Sequence, residues 1–256
     1  DWSSDVCSSD LELAPGDSGL GKSVLINTLT EIQISSAQVS LPYVAHIDKG
    51  FSAMGLIQLI RDALPEDRKD EAVGIVLDND PAKSRNMFDI LYGARQPVTP
   101  ERQFIASMLM AFCIEPDKGS SPNPTDTRQI VNRVIDLAYD LRSGAEPNMY
   151  RPNVEPDVDQ ALQDSGLRDE HDLEWWSATP WYEVRDILHE RGLMAAAQRA
   201  HYQAVPELAD MPALLRSETI RESYGRVQRD GSQEPLLEYI ERCMIQARQD
   251  FPMMAS

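Results

Sequence analysis

The chain has 256 residues, an apolar content of 42% and a formal net charge of −18. The apolar fraction is sufficient for a packed core, and the acidic balance argues against a nucleic-acid clamp, because phosphate contacts need clustered lysine and arginine. The sequence has neither a run of about 18 apolar residues nor a signal-peptide pattern. We therefore predict no transmembrane segment and expect a cytoplasmic location.

The first eleven residues, Asp1 to Leu11, do not resemble a protein element. One back-translation of this stretch reads as the end of a common short-read sequencing adapter, and such segments are excluded from fold reasoning. We therefore expect the native sequence to start near Glu12 and the chain to be a fragment.

Residues 16–23 read Gly-Asp-Ser-Gly-Leu-Gly-Lys-Ser and fit the phosphate-binding loop pattern G-x-x-x-x-G-K-[ST] at every fixed position. In such a loop the backbone N–H groups point into one concavity at the start of a helix, where they bind anions. Lys22 would supply a charge for the β- and γ-phosphates, and the Ser23 hydroxyl would bind Mg²⁺. The predicted nucleotide triphosphate site consists of Gly16, Asp17, Ser18, Gly19, Leu20, Gly21, Lys22, Ser23 and Val24.

Residues 12–98 alternate between helical and strand patterns. Helices are predicted over 22–34 and from Ser52 to before Pro65, and short apolar runs predict strands at 42–48, 73–77 and 86–90. Strands separated by helices indicate a mostly parallel sheet. We therefore expect an α/β fold here, a partial P-loop nucleotide-binding domain.

Residues 99–256 show helical patterns only. Helices are predicted from Thr99 through Phe112, over 125–141, from 179 to 192, in an alanine-rich stretch ending near 204, over 212–224 and over 234–250. Pro147, Pro152 and Pro156 indicate a linker near 145–160. This part is expected to be a helical region without a sheet.

Other residue types give weaker signals. Three tryptophans and a tyrosine cluster within 175–182, and we expect them to anchor helices to each other rather than to stack on a base. The four histidines lack metal-ligand spacing, so we predict no zinc site. Cys113 and Cys243 form no C-x-x-C pair and are interpreted as small apolar fillers.

Hydrolysis would also need an acid near Mg²⁺. Asp48 and Asp78 each follow an apolar run, and their spacing does not decide between them. The loop also looks like that of septin-type GTPases, but the chain has neither an Asn/Thr-Lys-x-Asp segment nor an Asp-x-x-Gly segment. We therefore place adenine above guanine as the base.

Two further segments carry a family resemblance. Residues 44–52, Val-Ala-His-Ile-Asp-Lys-Gly-Phe-Ser, precede a helix, and residues 86–89, Asn-Met-Phe-Asp, precede Pro97-x-x-Pro100-Glu-Arg and another helix. This order resembles the conjugation and type IV secretion ATPases of the TraC and IcmB/DotO type, in which an Asp-x-Gly-x-Ser strand and an Asn-Pro-Phe-Asp strand are followed by a long helical insertion. Met87 replaces the family's proline. The later Trp-Trp and Ala-Val-Pro segments also fit the IcmB/DotO branch, so the resemblance covers residues 13 to about 225.

The resemblance implies an incomplete RecA-like P-loop NTPase sheet followed by an all-helical insertion. It also implies ATP and Mg²⁺ as ligands, Lys22 and Asp48 as catalytic residues, a hexameric homo-oligomer, and partners in the type IV secretion machinery at the inner membrane. In the family the Walker-B Asp-Glu pair follows the helical insertion, and this chain has no apolar strand ending in Asp-Glu. We therefore expect ATP binding with little or no hydrolysis.

Two alternatives remain open at this point. One is a septin-like or other P-loop GTPase. The other is a helical docking module for secretion partners, in which the nucleotide site acts only as a switch.

Overall fold

The computed structural model describes residues 21–36, 41–46, 52–76, 78–81, 84–115 and 117–254. The chain divides into two compact units, Asp1–Leu77 and Asp78–Ser256. The α-helices of the described residues are α1 (Lys22–Ser36), α2 (Ser52–Ala63), α3 (Thr99–Phe112), α4 (Pro124–Ser143), α5 (Pro156–Asp164), α6 (Leu173–Ser177), α7 (Trp181–Glu190), α8 (Met194–Ala204), α9 (Met211–Leu215), α10 (Glu218–Tyr224) and α11 (Leu236–Asp250).

The described residues of the first unit include two helices that pack together, α1 and α2, and a short 3₁₀ segment, Glu66–Glu71. The chain after this segment returns to α2, where the Arg61 Nη1 atom donates a hydrogen bond to the Ala72 carbonyl over 3.2 Å. A Cβ at Gly74 would lie 2.9 Å from the Met54 sulfur, so a larger residue there would require the Met54 side chain to shift. By contrast, α1 has no buried residue, and its Val24 side chain is 69% exposed.

The predicted α/β sheet is wrong for the described residues. Residues 41–46, 73–76 and 86–90 are irregular or turn, and the described part of the chain has three isolated bridges in place of strands. Apolar runs of four or five residues resemble buried strands in sequence, but a strand forms only where a neighbour supplies its hydrogen bonds. Here Ile75 and Val76 remain more than half exposed, so no second layer covers them.

The helices of the second unit were largely predicted, and their ends follow local chemistry. At the start of α3, the Glu101 carboxylate accepts the backbone N–H of Val98 over 2.9 Å, and proline occupies the first turn. At the end of α4, the Gly144 N–H donates to the Asp140 carbonyl over 2.7 Å. A Cβ at Gly144 would lie 2.4 Å from that oxygen, which explains the glycine.

One predicted helix is divided. Residues 212–224 form two helices, α9 and α10, because the backbone turns at Arg216 and Ser217. The N–H groups of these two residues donate to the carbonyls three positions earlier, in α9, instead of continuing the α-helix. Ser217 then has extended backbone and is the N-cap residue of α10.

The segment predicted as a linker, residues 148–159, is packed against the rest of the second unit. Tyr150 is buried, Met149 forms a bridge with Pro180, and α5 begins at Pro156.

Two apolar clusters form the core of the second unit. The first lies among α3, α4, α9, α10 and α11, with the fully buried Phe88 contributed by the preceding turn. The second lies among α5, α6, α7 and α8, where small residues on α8 such as Ala197 and Ala200 allow α7 to pack closely. None of the described helices is long and apolar enough to cross a bilayer.

Candidate phosphate-binding site

The described part of the predicted loop lies at the beginning of α1. Gly21 immediately precedes the helix, and Lys22, Ser23 and Val24 form its first turn. The remaining predicted residues lie outside the described part of the chain: Gly16, Asp17, Ser18, Gly19, Leu20 and Asp48. Asp78, the other candidate acid, belongs to the second unit.

Gly21 has the backbone conformation that this kind of loop needs. Its φ is +74°, in the left-handed region that favours glycine. Its carbonyl accepts the N–H of Leu25 over 2.9 Å, which is the first hydrogen bond of the helix. The positive φ of Gly21 therefore explains why the second fixed position of the motif is glycine. The helix begins at the next residue, the lysine of the motif.

The charge distribution of the first helical turn favours an anion. The first N–H groups of a helix have no acceptor within the helix, and the helix dipole makes this end positive. No acidic residue lies in the first turn of α1 to neutralise it. Ser23 and Val24 are exposed, and Lys22 is half-buried. A phosphate group could therefore approach this end of the helix.

The motif assigns the Ser23 hydroxyl to Mg²⁺, and Ser23 is exposed in this same turn. The described residues contain no group of three or more His, Cys, Asp or Glu side chains that could hold a metal ion. A Mg²⁺ ion there would depend on the Ser23 hydroxyl together with phosphate oxygens and water, which is how Mg²⁺ is usually held beside nucleotides.

A separate cavity of about 450 Å³ lies between α2 and the 3₁₀ segment. Its lining includes Arg61 and Lys69, but both cations already have partners. Arg61 binds a backbone carbonyl, and Lys69 pairs with Glu66 over 2.7 Å. The cavity also contains Asp62, so its charges are balanced and it provides no independent phosphate site.

The Asn86–Asp89 segment, part of the family resemblance, has structural contacts. The Asn86 side chain donates to the Pro206 carbonyl over 2.7 Å and accepts the Phe88 N–H over 3.0 Å. Phe88 is buried, and its carbonyl accepts the Tyr139 hydroxyl over 2.6 Å. These contacts explain the asparagine and the phenylalanine through packing of the second unit.

Asp89 belongs to a polar network with two buried groups. Its Oδ1 atom lies 2.5 Å from the His201 Nε2 atom, and the His201 Nδ1 atom lies 3.3 Å from the Arg185 Nη1 atom. Because a guanidinium can only donate, Nδ1 must accept and the ring proton must be on Nε2, which donates to Asp89. Both ring nitrogens are therefore engaged, and His201 has a structural role in this arrangement.

The Arg185 guanidinium is completely buried, and its N–H groups have several hydrogen-bond acceptors. It donates to the Ala94 carbonyl over 3.2 Å and to the Asp186 carboxylate over 2.7 Å. Asp186 also accepts from Arg95 over 2.7 Å. Burial opposes ionisation of Asp186, but hydrogen bonds from both arginines hold its pKa below the usual value. The carboxylate thus balances the buried cation.

Sequence reasoning missed this network. His201 has no acidic partner within one helical turn, and Asp89 is 112 positions away along the chain.

The prediction that the aromatic cluster anchors helices is confirmed. Trp176 and Trp181 are buried, and both contact Tyr150 edge to face, at centroid distances of 5.9 and 4.9 Å.

No known protein family, no curated protein and no solved structure matches this chain.

The first prediction concerns the buried arginine. We expect Arg185→Met to lower the free energy of unfolding by about 3 kcal/mol, because it removes the donor to His201 and leaves buried acceptors unpaired. Urea unfolding followed by tryptophan fluorescence measures this, since the clustered tryptophans lie in the same unit. The matched control is Arg191→Met, which removes an exposed pair with Glu170 and should cost less than about 1 kcal/mol. Equal losses in the two variants would contradict the prediction.

Proposed function

We propose that residues 16–24 bind the triphosphate of ATP together with Mg²⁺. The observation that carries this proposal is the match of residues 16–23 to the phosphate-binding loop pattern, with a left-handed Gly21 directly before the start of α1. The absence of acids from the first turn of α1 further supports an anionic ligand.

Each residue would have a defined task. Backbone N–H groups of the loop and of the first helical turn would donate to phosphate oxygens, and glycine at the fixed positions would keep the backbone accessible. The Lys22 ammonium would neutralise charge on the β- and γ-phosphates. Ser23 would contribute its hydroxyl to the metal ion. Asp48 is proposed as an acid near the γ-phosphate.

We further propose that the chain belongs to an ATPase that powers type IV secretion or conjugative transfer. Support comes from the order of the loop, the Asp48-x-Gly-x-Ser segment and the Asn86-x-Phe-Asp segment along the sequence. The partners would be components of the secretion machinery at the inner membrane, and the chain would assemble as a hexamer. The RecA-like sheet that the same resemblance implies is not seen among the described residues and is not part of this proposal.

ATP binding is tested by isothermal titration of the full chain with ATP and Mg²⁺. We expect Lys22→Ala to weaken binding about 10- to 100-fold, because a charge-assisted contact contributes roughly 1.5–3 kcal/mol. The control Lys69→Ala removes a lysine of the same unit whose partner is Glu66 and should leave binding unchanged. Equal affinity of the Lys22→Ala variant and the unmodified chain would contradict the proposal.

Two further measurements test the role of Mg²⁺ and the choice of base. Chelation of Mg²⁺ should weaken binding to the unmodified chain but not to Ser23→Ala, in which the metal ligand is already absent. In competition, ATP should displace GTP more readily than GTP displaces ATP. The reverse order would favour the GTPase alternative.

Hydrolysis is predicted to be minimal. Because the chain lacks an apolar strand ending in Asp-Glu, we expect phosphate release from ATP at the same rate in the unmodified chain and in Lys22→Ala. Turnover that disappears in Lys22→Ala would contradict this. Asp48→Ala and Asp78→Ala would then identify which aspartate supplies the missing acid.

The secretion proposal predicts nucleotide-linked assembly. The tagged full chain, produced together with type IV secretion components, should retain them and form a hexamer by native mass measurement when ATP is present. Retention that is equal in Lys22→Ala would favour a docking module that does not need the nucleotide. A monomer with and without ATP, retaining no component, would contradict the proposal.

A further inference from the structure

The structure brings together two cysteines that are distant in sequence. Cys113 directly follows α3 and is fully buried, and Cys243 lies on α11, which packs against α3. Cys243 is partly buried against the same apolar cluster that contains Cys113. Both are free thiols, and the Tyr239 hydroxyl of α11 donates to the Cys113 carbonyl over 3.2 Å, which fixes this part of α11 against the end of α3.

The surroundings of the two thiols are asymmetric. Tyr239, whose hydroxyl donates to the Cys113 carbonyl, lies one turn before Cys243 on α11. The Arg242 guanidinium lies beside Cys243, while Cys113 is enclosed by apolar side chains. Cys243 is therefore the more accessible and more polar member of the pair.

We propose that Cys113 and Cys243 form a redox pair, in which a hydroperoxide converts the two thiols into a disulfide within one chain. This inference is independent of nucleotide binding. It replaces the interpretation of both cysteines as inert apolar fillers.

The chemistry requires two balanced steps. The Cys243 thiolate attacks one peroxide oxygen, the O–O bond breaks, and the leaving oxygen takes a proton, so that Cys243 becomes a sulfenic acid. The Cys113 sulfur then attacks the Cys243 sulfur, the S–O bond breaks, and water leaves with the Cys113 proton. The peroxide is reduced to water, and the two sulfurs are oxidised to a disulfide.

The local charges support this order of events. The hydrogen bond from Cys113 outweighs the effect of burial and, with Tyr239 and Arg242, lowers the pKa of Cys243 to about 7, while Glu234 opposes the shift. The hydrogen bond to Cys243, together with burial, raises the pKa of Cys113 above its usual value. Cys243 is therefore the attacking thiolate and Cys113 the thiol that resolves the intermediate.

The test uses the full chain with Cys7→Ser, which leaves only this pair. After removal of reductant and treatment with hydrogen peroxide, we expect the protein to lose the mass of the two thiol hydrogens and to resist alkylation. Peptide mapping should show Cys113 joined to Cys243, and dithiothreitol should restore both thiols. Two thiols that remain alkylatable, or a disulfide that joins separate chains, would overturn the proposal.

The roles are separated by single replacements in the same background. Cys113→Ala should accumulate a sulfenic acid at Cys243 that dimedone traps, whereas in Cys243→Ala the Cys113 thiol should remain reduced. Circular dichroism establishes that both variants are folded, and the mapping experiment above needs neither of them. Dimedone labelling of Cys113 in place of Cys243 would overturn the assigned order.

A pH profile of alkylation gives an independent readout. The Cys243 thiol should react with iodoacetamide with a midpoint near pH 7. At neutral pH its rate should exceed that of an ordinary thiol, whose pKa is about 8.5, by about tenfold at most. A midpoint at the ordinary value would remove the assignment of Cys243 as the attacking thiolate.

Discussion

A guanidinium with no exposure to solvent must find acceptors for its N–H groups among the surrounding protein atoms. Arg185 on α7 meets this requirement through Asp186, the Ala94 carbonyl and His201 on α8, and His201 in turn donates to Asp89. The helical pair α7 and α8 is thereby joined to the irregular segment that precedes α3. Removing the partners of such a buried cation costs about 3–5 kcal/mol, so the junction between α7, α8 and this segment depends on these contacts.

The first unit does not depend on a buried polar network of this kind. Its candidate site depends on features that are local in sequence: a glycine with positive φ, a helix that begins at the next residue, and an unneutralised positive helix end. None of these requires a large core, and no residue of α1 is buried. The exposed apolar side chains of α1 and of residues 73–76 lack the second layer that the α/β prediction assumed.

Helices were predictable and the sheet was not, for a physical reason. A helix forms its hydrogen bonds within one segment, so proline and glutamate at the start of α3 and glycine after α4 mark its ends in the sequence itself. A strand depends on partners elsewhere in the chain, and an apolar run such as residues 86–90 can instead form a turn that places Phe88 in a helical core. The Asn86–Asp89 segment shows this clearly, since a likeness to a strand motif is accounted for here by a side-chain-stabilised turn.

The sequence by itself determined the phosphate-binding pattern, the conformational need for Gly21 and most helices after residue 99, because these depend on neighbours within a turn or two along the chain. The tertiary structure decided that the described residues form no sheet, that Asp89 pairs with His201, and that Cys113 and Cys243 belong to one apolar cluster. Such pairs are distant along the chain and belong to different helices or turns. No local pattern encodes them, because their proximity arises only when the helices pack and their buried polar groups find partners.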